Sequence, residues 1–265
     1  MNTVLMMKKY SNQWTELKEI LEEKADLYNR TTFIEDDPIS IPHLFSKRED
    51  IEISGLLTAI ISWGQRKTLI RNAREMMLRM DDAPFDFVMH HSETDLKRFQ
   101  NFVHRTFNGN DCQFFIRRLG EVYRNHQSLE PLFSIGNGSI YDGILNFRNV
   151  MFDTFVPQGT SKHLADPSTG SAAKRLNMYL RWMVRNDKRK IDFGLWNSIP
   201  MSGLMIPLDV HSGGVARKLG ILQRKQDDWR AVEELTGFLK QLDASDPVRF
   251  DYALFGMGVN EKLVR

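Results

Sequence analysis

Hydrophobic residues along this chain recur mainly at intervals of three and four positions, which is the spacing of one face of an α-helix. Between positions 53 and 80, two such patterns flank the polar stretch SWGQRK, so we predict two helices joined by a polar turn. Further helical patterns cover residues 15–28, 94–104, 111–125, 140–155, 171–185, 209–219, 227–242 and 246–256. Alternating patterns typical of strands are scarce, so the sequence predicts an all-α fold class.

Turn-forming residues interrupt these patterns at three places. DDPISIPHLF, residues 36–45, carries two prolines and an acidic pair, which predicts a segment of turns. VPQGTSKHLADPSTGS, residues 156–171, is rich in Gly, Pro, Ser and Thr and is interpreted either as a plain linker or as the approach to the basic helix that follows. DYALFGMGVN brings Gly256 and Gly258 to the end of a helical pattern, where a simple glycine C-cap is expected.

The composition is that of an ordinary globular protein, with 265 residues of which 42% are hydrophobic and 26% charged. The lone Cys112 excludes a disulfide framework and any site built from several cysteines, so chemistry has to come from Lys, Asp, His, Arg or the backbone. No apolar run approaches the length of about 18 residues that a membrane span needs. MNTVLMMKKY lacks the pattern of a secretory leader, so we expect a cytoplasmic protein with no membrane partner.

The strongest charge cluster follows the loop, where seven Lys and Arg and one Asp fall between positions 174 and 190. On a helical wheel Met178, Arg181 and Arg185 fall within about 40° of Lys174. Arg175 and the indole of Trp182 flank this row, whereas the opposite arc is apolar. An exposed row of cations beside an aromatic ring is typical of phosphate binding, and the alternative is the solvated face of an amphipathic helix.

Lys174 is a candidate nucleophile because it stands in the first turn of this predicted helix, just after Gly170 and Ser171. The positive end of the helix dipole and the adjacent Arg175 both disfavour the ammonium form there. A free amine can attack the C1′ carbon of a sugar and form a Schiff base. A lysine that only binds phosphate is the alternative interpretation.

One acid, Asp209, lies between two apolar segments in IPLDVHSGGVARKLGI. Its position directly before a helical pattern predicts an N-cap, which is a structural role. The same helix amides would keep its carboxylate charged, so Asp209 could also stabilise a developing sugar cation or accept a proton. His211 is interpreted either as a satisfied core histidine or as part of a pocket.

These residues carry two resemblances. PLDVHSGGVARKLG resembles the segment of helix-hairpin-helix DNA glycosylases that holds the catalytic aspartate, and LLTAIISWGQRKTLIRNAREMM resembles a helix pair of the same fold. Within these glycosylases, the resemblance is nearest to the oxoguanine glycosylase/lyases. The combination of DDPISIPHLF, ISWGQRKTLIRNA, KRLNMYLRWMVR, PLDVH and FDYALFGMGVN is similar to the uncharacterised bacterial family DUF2400 over nearly the entire chain.

The glycosylase resemblance implies a two-lobed helical fold with a cleft between the lobes, residues 1–50 with 195–265 forming one lobe and 51–194 the other. It implies excision of a damaged base from duplex DNA by a monomer without a cofactor, with Lys174 as the Schiff-base amine and Asp209 as the catalytic acid. The expected DNA contacts are Arg66, Lys67, Ser171, Arg175, Arg181 and Arg185. The expected base pocket comprises Trp63, Gln65, Trp182 and His211, and Phe193 and Trp196 are further candidates for its wall.

Two other functions remain open from the sequence. The chain could be a DNA-binding protein that kept this fold and lost the chemistry. It could also be a metal-dependent hydrolase that uses His163, Asp166, Asp209 and His211, although the spacing of these residues matches no familiar metal motif.

Overall fold

The computed structural model describes the backbone of residues 3–135, 139–261 and 263, and the side chains from Trp14 onward within those ranges. Most of these residues are helical, which confirms the all-α class. The helices are α1 (Thr3–Tyr28), α2 (Thr32–Glu35), α3 (Arg48–Ile60), α4 (Arg66–Arg79), α5 (Pro84–His90), α6 (Glu93–Leu96), α7 (Gly109–His126), α8 (Glu130–Phe133), α9 (Ile140–Met151), α10 (Lys174–Val184), α11 (Val210–Lys218), α12 (Trp229–Leu242) and α13 (Phe250–Asn260). Within the described ranges, no helix combines the length and apolar character needed to cross a membrane.

A short hairpin replaces part of one predicted helix. Its strands are β1 (Val103–His104) and β2 (Phe107–Asn108), which pair antiparallel. The prediction of a helix over 94–104 is therefore wrong, because α6 ends at Leu96 and a 3₁₀ turn over Lys97–Phe99 leads into β1. A side chain at Gly109 would clash with the carbonyl oxygen of Phe99, so only glycine lets α7 begin against this turn.

The glycines of α13 serve helix packing. The predicted C-cap at Gly256 and Gly258 is wrong, because both lie inside a helix that continues to Asn260. A side chain at Gly256 would clash with the ring of Tyr28 on α1, and a Cβ atom at Gly258 would lie 2.9 Å from that of His211 on α11. The missing side chains therefore let α13 approach α1 and α11 closely.

Buried apolar side chains form two clusters. The larger cluster takes most of its residues from α3 through α10 and also contains Trp229 of α12 and Tyr252 of α13, whereas the smaller takes residues from α1, α11, α12 and α13. The neighbours Ala172 and Ala173 belong to different clusters, so the boundary passes the start of α10. The predicted lobes, 1–50 with 195–265 and 51–194, stay a prediction. Their residues 1–2, 136–138, 262 and 264–265 lie outside the described part of the chain.

The larger cluster encloses a glutamate, Glu52 of α3, whose side chain is fully buried. Its carboxylate accepts hydrogen bonds from the hydroxyl of Tyr123 at 2.7 Å, the indole of Trp196 at 2.8 Å and the backbone amide of Leu129 at 3.0 Å. Arg48 pairs with it at 2.9 Å. One side chain therefore connects α3 to α7, to the residue before α8 and to the segment after α10.

Replacing Glu52 by glutamine is expected to lower the free energy of unfolding by about 3 kcal/mol, because the new amide group faces donors and the charge beside Arg48 is lost. Chemical denaturation followed by circular dichroism measures the change. The matched control is Glu121→Gln on α7, which removes a surface ion pair with Arg118 and costs about 0–1 kcal/mol. Equal losses in the two variants would contradict the role assigned to Glu52.

Candidate active site

The first residue of α10 and the residue before α11 meet across a pocket. The Nζ atom of Lys174 lies 3.2 Å from the Oδ2 atom of Asp209. The Lys174 side chain is 34% exposed and that of Asp209 is 13% exposed, so the pair is open to solvent on one side. Helix α10 begins at Lys174 because the preceding Ala173 adopts a left-handed φ of 46°, which turns the chain sharply.

Asp209 caps α11, as its sequence position predicts. One oxygen, Oδ1, accepts hydrogen bonds from the backbone amides of His211 at 2.8 Å and Ser212 at 2.9 Å. The hydroxyl of Ser212 in turn accepts the backbone amide of Asp209, which completes a capping box. Because the amides take Oδ1, the second oxygen, Oδ2, remains for Lys174. The cap therefore fixes the carboxylate and leaves it available for chemistry.

The pocket beside this pair has a volume of about 560 Å³. That volume is within the usual range of about 300–1,000 Å³ for small-molecule sites. Its lining joins the turn segment after α2, the α3–α4 joint, the start of α10, the start of α11 and the start of α13. The polar and aromatic residues that line it are Phe33, Asp37, Ser62, Trp63, Arg66, Ser171, Lys174, Arg175, Arg181, Asp209, His211, Asp227, Asp251, Tyr252 and Phe255.

An arginine and an indole form one wall. The guanidinium carbon of Arg175 lies 4.7 Å from the ring centroid of Trp63, and an Nη1 hydrogen of Arg175 is donated to the carbonyl of Ile60. Trp63 also stacks on His163 with centroids 5.7 Å apart. Burial lowers the pKa of Arg175 to about 10, and this arginine makes no ion pair with any residue that the structure describes. The wall therefore offers a cation that no acid in the described part of the chain neutralises.

The prediction of an exposed cationic face on α10 is wrong for the later turns of this helix. Arg181 and Arg185 are 4% and 2% exposed, and Trp182 is fully buried and does not line the pocket. A helical wheel tells which residues share a face, but it does not tell whether that face meets solvent or protein. Here the cations face other segments of the chain, so they are enclosed and do not form a phosphate-binding surface.

Acids from remote segments neutralise these two arginines. Arg181 donates to Asp192 at 3.2 Å and to Asp251 of α13. Arg185 donates to Asp192 at 3.0 Å and to Asp246 at 2.9 Å. Burial raises the pKa of Asp251 to about 7; the nearby carboxylate of Asp209 adds to this shift, and Arg181 opposes it. Burial likewise raises the pKa of Asp246.

The remaining predicted site residues divide between the pocket and the surface. Ser171 and His211 line the pocket, whereas Gln65 and Lys67 are exposed at the start of α4 outside its lining. Phe193 and Trp196 lie away from it, Trp196 as a partner of Glu52.

The four residues of the proposed metal set are not brought together. His163 pairs with Asp111 at 3.3 Å, and Asp166 pairs with Arg148 at 3.6 Å. In the described part of the chain, no group of three or more His, Cys, Asp or Glu side chains is arranged to hold a metal ion.

Sequence reasoning missed two buried acids of the pocket, Asp37 and Asp251. Asp37 is 7% exposed, its carboxylate accepts the backbone amide of Ile39 at 3.0 Å, and burial raises its pKa. Asp251 is 6% exposed. The available signal was an acid inside an otherwise apolar run, because FDYALF places Asp251 in a helix that is buried all round.

The raised pKa of Asp251 predicts a pH-dependent stability. Between the ordinary carboxyl value of 3.8 and about 7, the folded protein holds a proton that the unfolded chain releases, so this group makes stability fall as pH rises. Asp251→Asn removes this effect. The melting temperature of the variant, relative to that of the wild type, is expected to rise between pH 5 and pH 8. Scanning calorimetry measures it, and a constant difference would contradict the assignment.

No curated protein and no solved structure matches the chain. A family model, DUF2400, described as a protein of unknown function, matches residues 37–260. The match extends over more than half of the chain and includes Asp37, Lys174, Asp209 and Asp251. The chain therefore belongs to the DUF2400 family, whose description assigns no function.

Proposed function

We propose that this protein excises a damaged base from DNA, with Lys174 as the nucleophile and Asp209 as the carboxylate that assists it. The observation that carries the proposal is the 3.2 Å approach of the Lys174 amine to Asp209 Oδ2 at the wall of a pocket of about 560 Å³. An amine and an acid in contact, open to a cavity, are the groups that Schiff-base chemistry at a sugar carbon requires. The resemblance of PLDVH to the aspartate segment of helix-hairpin-helix glycosylases supports the same assignment.

The reaction begins when Lys174 has released one proton to solvent, so that its nitrogen carries a free electron pair. The nitrogen attacks C1′, and the bond from C1′ to the base breaks with its electrons on the base, which takes up a proton. Asp209 accepts a second proton from the attacking nitrogen and passes it to O4′ as the sugar ring opens to the iminium. Water then hydrolyses the iminium to the aldehyde and restores the amine.

The same iminium makes the hydrogens on C2′ acidic. Water takes one of them as a proton, its electron pair forms the C2′–C3′ double bond, and the 3′ phosphate leaves with the electrons of its bond to C3′, so strand cleavage accompanies base release when this elimination precedes hydrolysis. The opposite outcome, release without cleavage, follows if water reaches the iminium first. Denaturing electrophoresis with and without later alkali treatment separates the two.

The pocket suits a base that has left the helical stack. An enzyme cannot reach C1′ while the base is stacked, so the nucleotide has to turn out of the duplex. Trp63, partly exposed beside Arg175, contributes an aromatic ring edge to the pocket wall, and Phe33 and Phe255 add apolar surface. The buried acid Asp37 can accept a hydrogen bond from an N–H group on a base edge. An oxidised purine, which gains such an N–H group, is the lesion class that we favour.

Unpaired cations near the pocket suit the DNA backbone. Arg66 lines the pocket with its guanidinium carbon 5.3 Å from the Phe255 ring, and Lys67 beside it is exposed. Among the described residues neither cation forms an ion pair. With Arg175 they provide positive charge that phosphates can neutralise with release of counterions.

Trapping with sodium borohydride tests the catalytic assignment. The wild-type protein, incubated with duplexes that carry an oxidised purine, is expected to form a covalent complex on reduction of the iminium. Lys174→Gln should abolish trapping, whereas Lys188→Gln, an exposed lysine outside the pocket, should leave it unchanged. Asp209→Asn keeps an N-cap residue and should slow base release by about 10²–10⁴-fold.

If the Lys174→Gln variant is still trapped by borohydride, the nucleophile is another residue. Duplex binding by the wild type without release of any base in a panel of oxidised, alkylated and deaminated lesions would favour a non-catalytic DNA-binding protein instead.

Salt titration tests the DNA contacts. Arg66→Gln is expected to weaken duplex binding about equally for all sequences and to reduce the slope of log Kd against log salt by about 1. Arg230→Gln on α12, an exposed arginine outside the pocket, is the matched control and should keep the wild-type slope. Fluorescence anisotropy with labelled duplexes measures both. An unchanged slope in Arg66→Gln would remove Arg66 from the interface.

A further inference from the structure

The chemistry proposed above leaves one step without an assigned group, the proton that the departing base takes up. Asp251 lies in the same pocket as Lys174 and Asp209 but has no part in that chemistry so far. Arg181 donates a hydrogen bond to its Oδ2 atom, and no described residue donates one to its Oδ1 atom. One oxygen of Asp251 is therefore held by Arg181, and the other has no partner among the described residues.

The buried ion network behind the pocket contains more acids than cations. Two guanidinium groups, those of Arg181 and Arg185, serve three buried carboxyl groups, those of Asp192, Asp246 and Asp251. An unneutralised charge in the interior is costly, so a proton on one carboxyl group lowers the free energy of the network. Asp251 is the member of the three that lines the pocket, where a proton can be exchanged with a ligand.

We propose that Asp251 is the general acid that protonates the departing base, while Asp209 acts as the anion beside Lys174. The inference rests on the proposed function and adds a catalytic residue to it. As the bond from C1′ to the base breaks, its electron pair goes to the base nitrogen, and the proton of Asp251 is transferred to that nitrogen. Arg181 then neutralises the carboxylate that is left. Hydrolysis of the iminium releases a proton, which restores Asp251.

The two carboxyl groups differ because their surroundings differ. Asp209 is partly exposed, and its carboxylate accepts two backbone amides and lies beside the Lys174 Nζ atom. Asp251 is buried, and burial raises its pKa to about 7. Two carboxyl groups in different surroundings are the usual division between a general acid and an anion in one site.

The charged groups around Asp251 come from four parts of the chain, and each of them affects how the rate depends on pH. They are Lys174 and Arg181 of α10, Asp192 of the following segment, Asp209 before α11, and Asp37 of the turn segment. Asp37 also faces Lys174 and Arg181. Asp37 is the competing acid, because it is also buried in the pocket wall with a raised pKa. Its carboxylate, however, already accepts the Ile39 amide and caps a turn.

The pH dependence of base release under single-turnover conditions tests the inference. In the wild type, the plot of log rate against pH is expected to bend downward near pH 7, because Asp251 loses its proton there. Asp251→Asn should lower the rate at pH 6 by about 10²-fold and remove this bend. Asp246→Asn, at the far end of the network and outside the pocket, should keep the bend.

Three other outcomes would contradict the inference. If Asp251→Asn reduces the rate by the same factor at every pH, Asp251 only positions Arg181, and the inference is wrong. Loss of the bend near pH 7 in Asp37→Asn alone would assign the acid to Asp37. Absence of base release by the wild type would overturn the proposed function and the inference together.

The carboxyl ¹³C resonance of Asp251 provides a second measurement on the wild-type protein, which is useful if Asp251→Asn does not fold. A titration midpoint near 7 supports the inference. A midpoint close to the ordinary carboxyl value of 3.8 overturns it, whatever the activity.

Discussion

Two buried arginines, Arg181 and Arg185, connect segments that are far apart in the sequence, and the pocket depends on them. Their guanidinium groups bind acids from the segment after α10, from the turn before α13 and from α13 itself. Removing one partner would leave a charge unpaired in the interior, so these contacts hold α10 against α13. Helix α13 in turn packs on α11 through Gly258. The distance between Lys174 at the start of α10 and Asp209 before α11 follows from this packing.

The pocket combines cations that reach solvent with carboxyl groups that are increasingly enclosed. The side chains of Lys174, Asp209 and Asp251 are 34%, 13% and 9% exposed. Burial penalises the charged form of an acid, whereas helix amides and a lysine ammonium stabilise it. The same residue type, aspartate, therefore acquires two different properties within one cavity. This division underlies both proposals, because a Schiff-base reaction at a sugar needs an anion near the amine and a proton near the leaving group.

Much of the helical framework was predictable because helical periodicity is a local property. The two helices around SWGQRK, the N-cap at Asp209 and the turns at DDPISIPHLF all depend on residues within a few positions of one another. Errors arose where a distant segment intervened. Gly109 lets a turn pack against α7, which ends the helix predicted over 94–104, and Gly256 and Gly258 meet α1 and α11 from inside a helix. Asp37 and Asp251 were missed as site residues for the same reason.

The sequence by itself determined the all-α class, most helix positions, and Lys174 and Asp209 as residues placed at helix starts, because capping and periodicity act over one or two turns. Only the tertiary structure decided that these two side chains meet, since their 3.2 Å contact depends on how α10 and α11 pack on α13. It also decided that Arg181 and Arg185 face inward, because the acids that neutralise them come from other segments. A helical wheel contains no information on what covers each face, and burial alone changes what a charged residue can do.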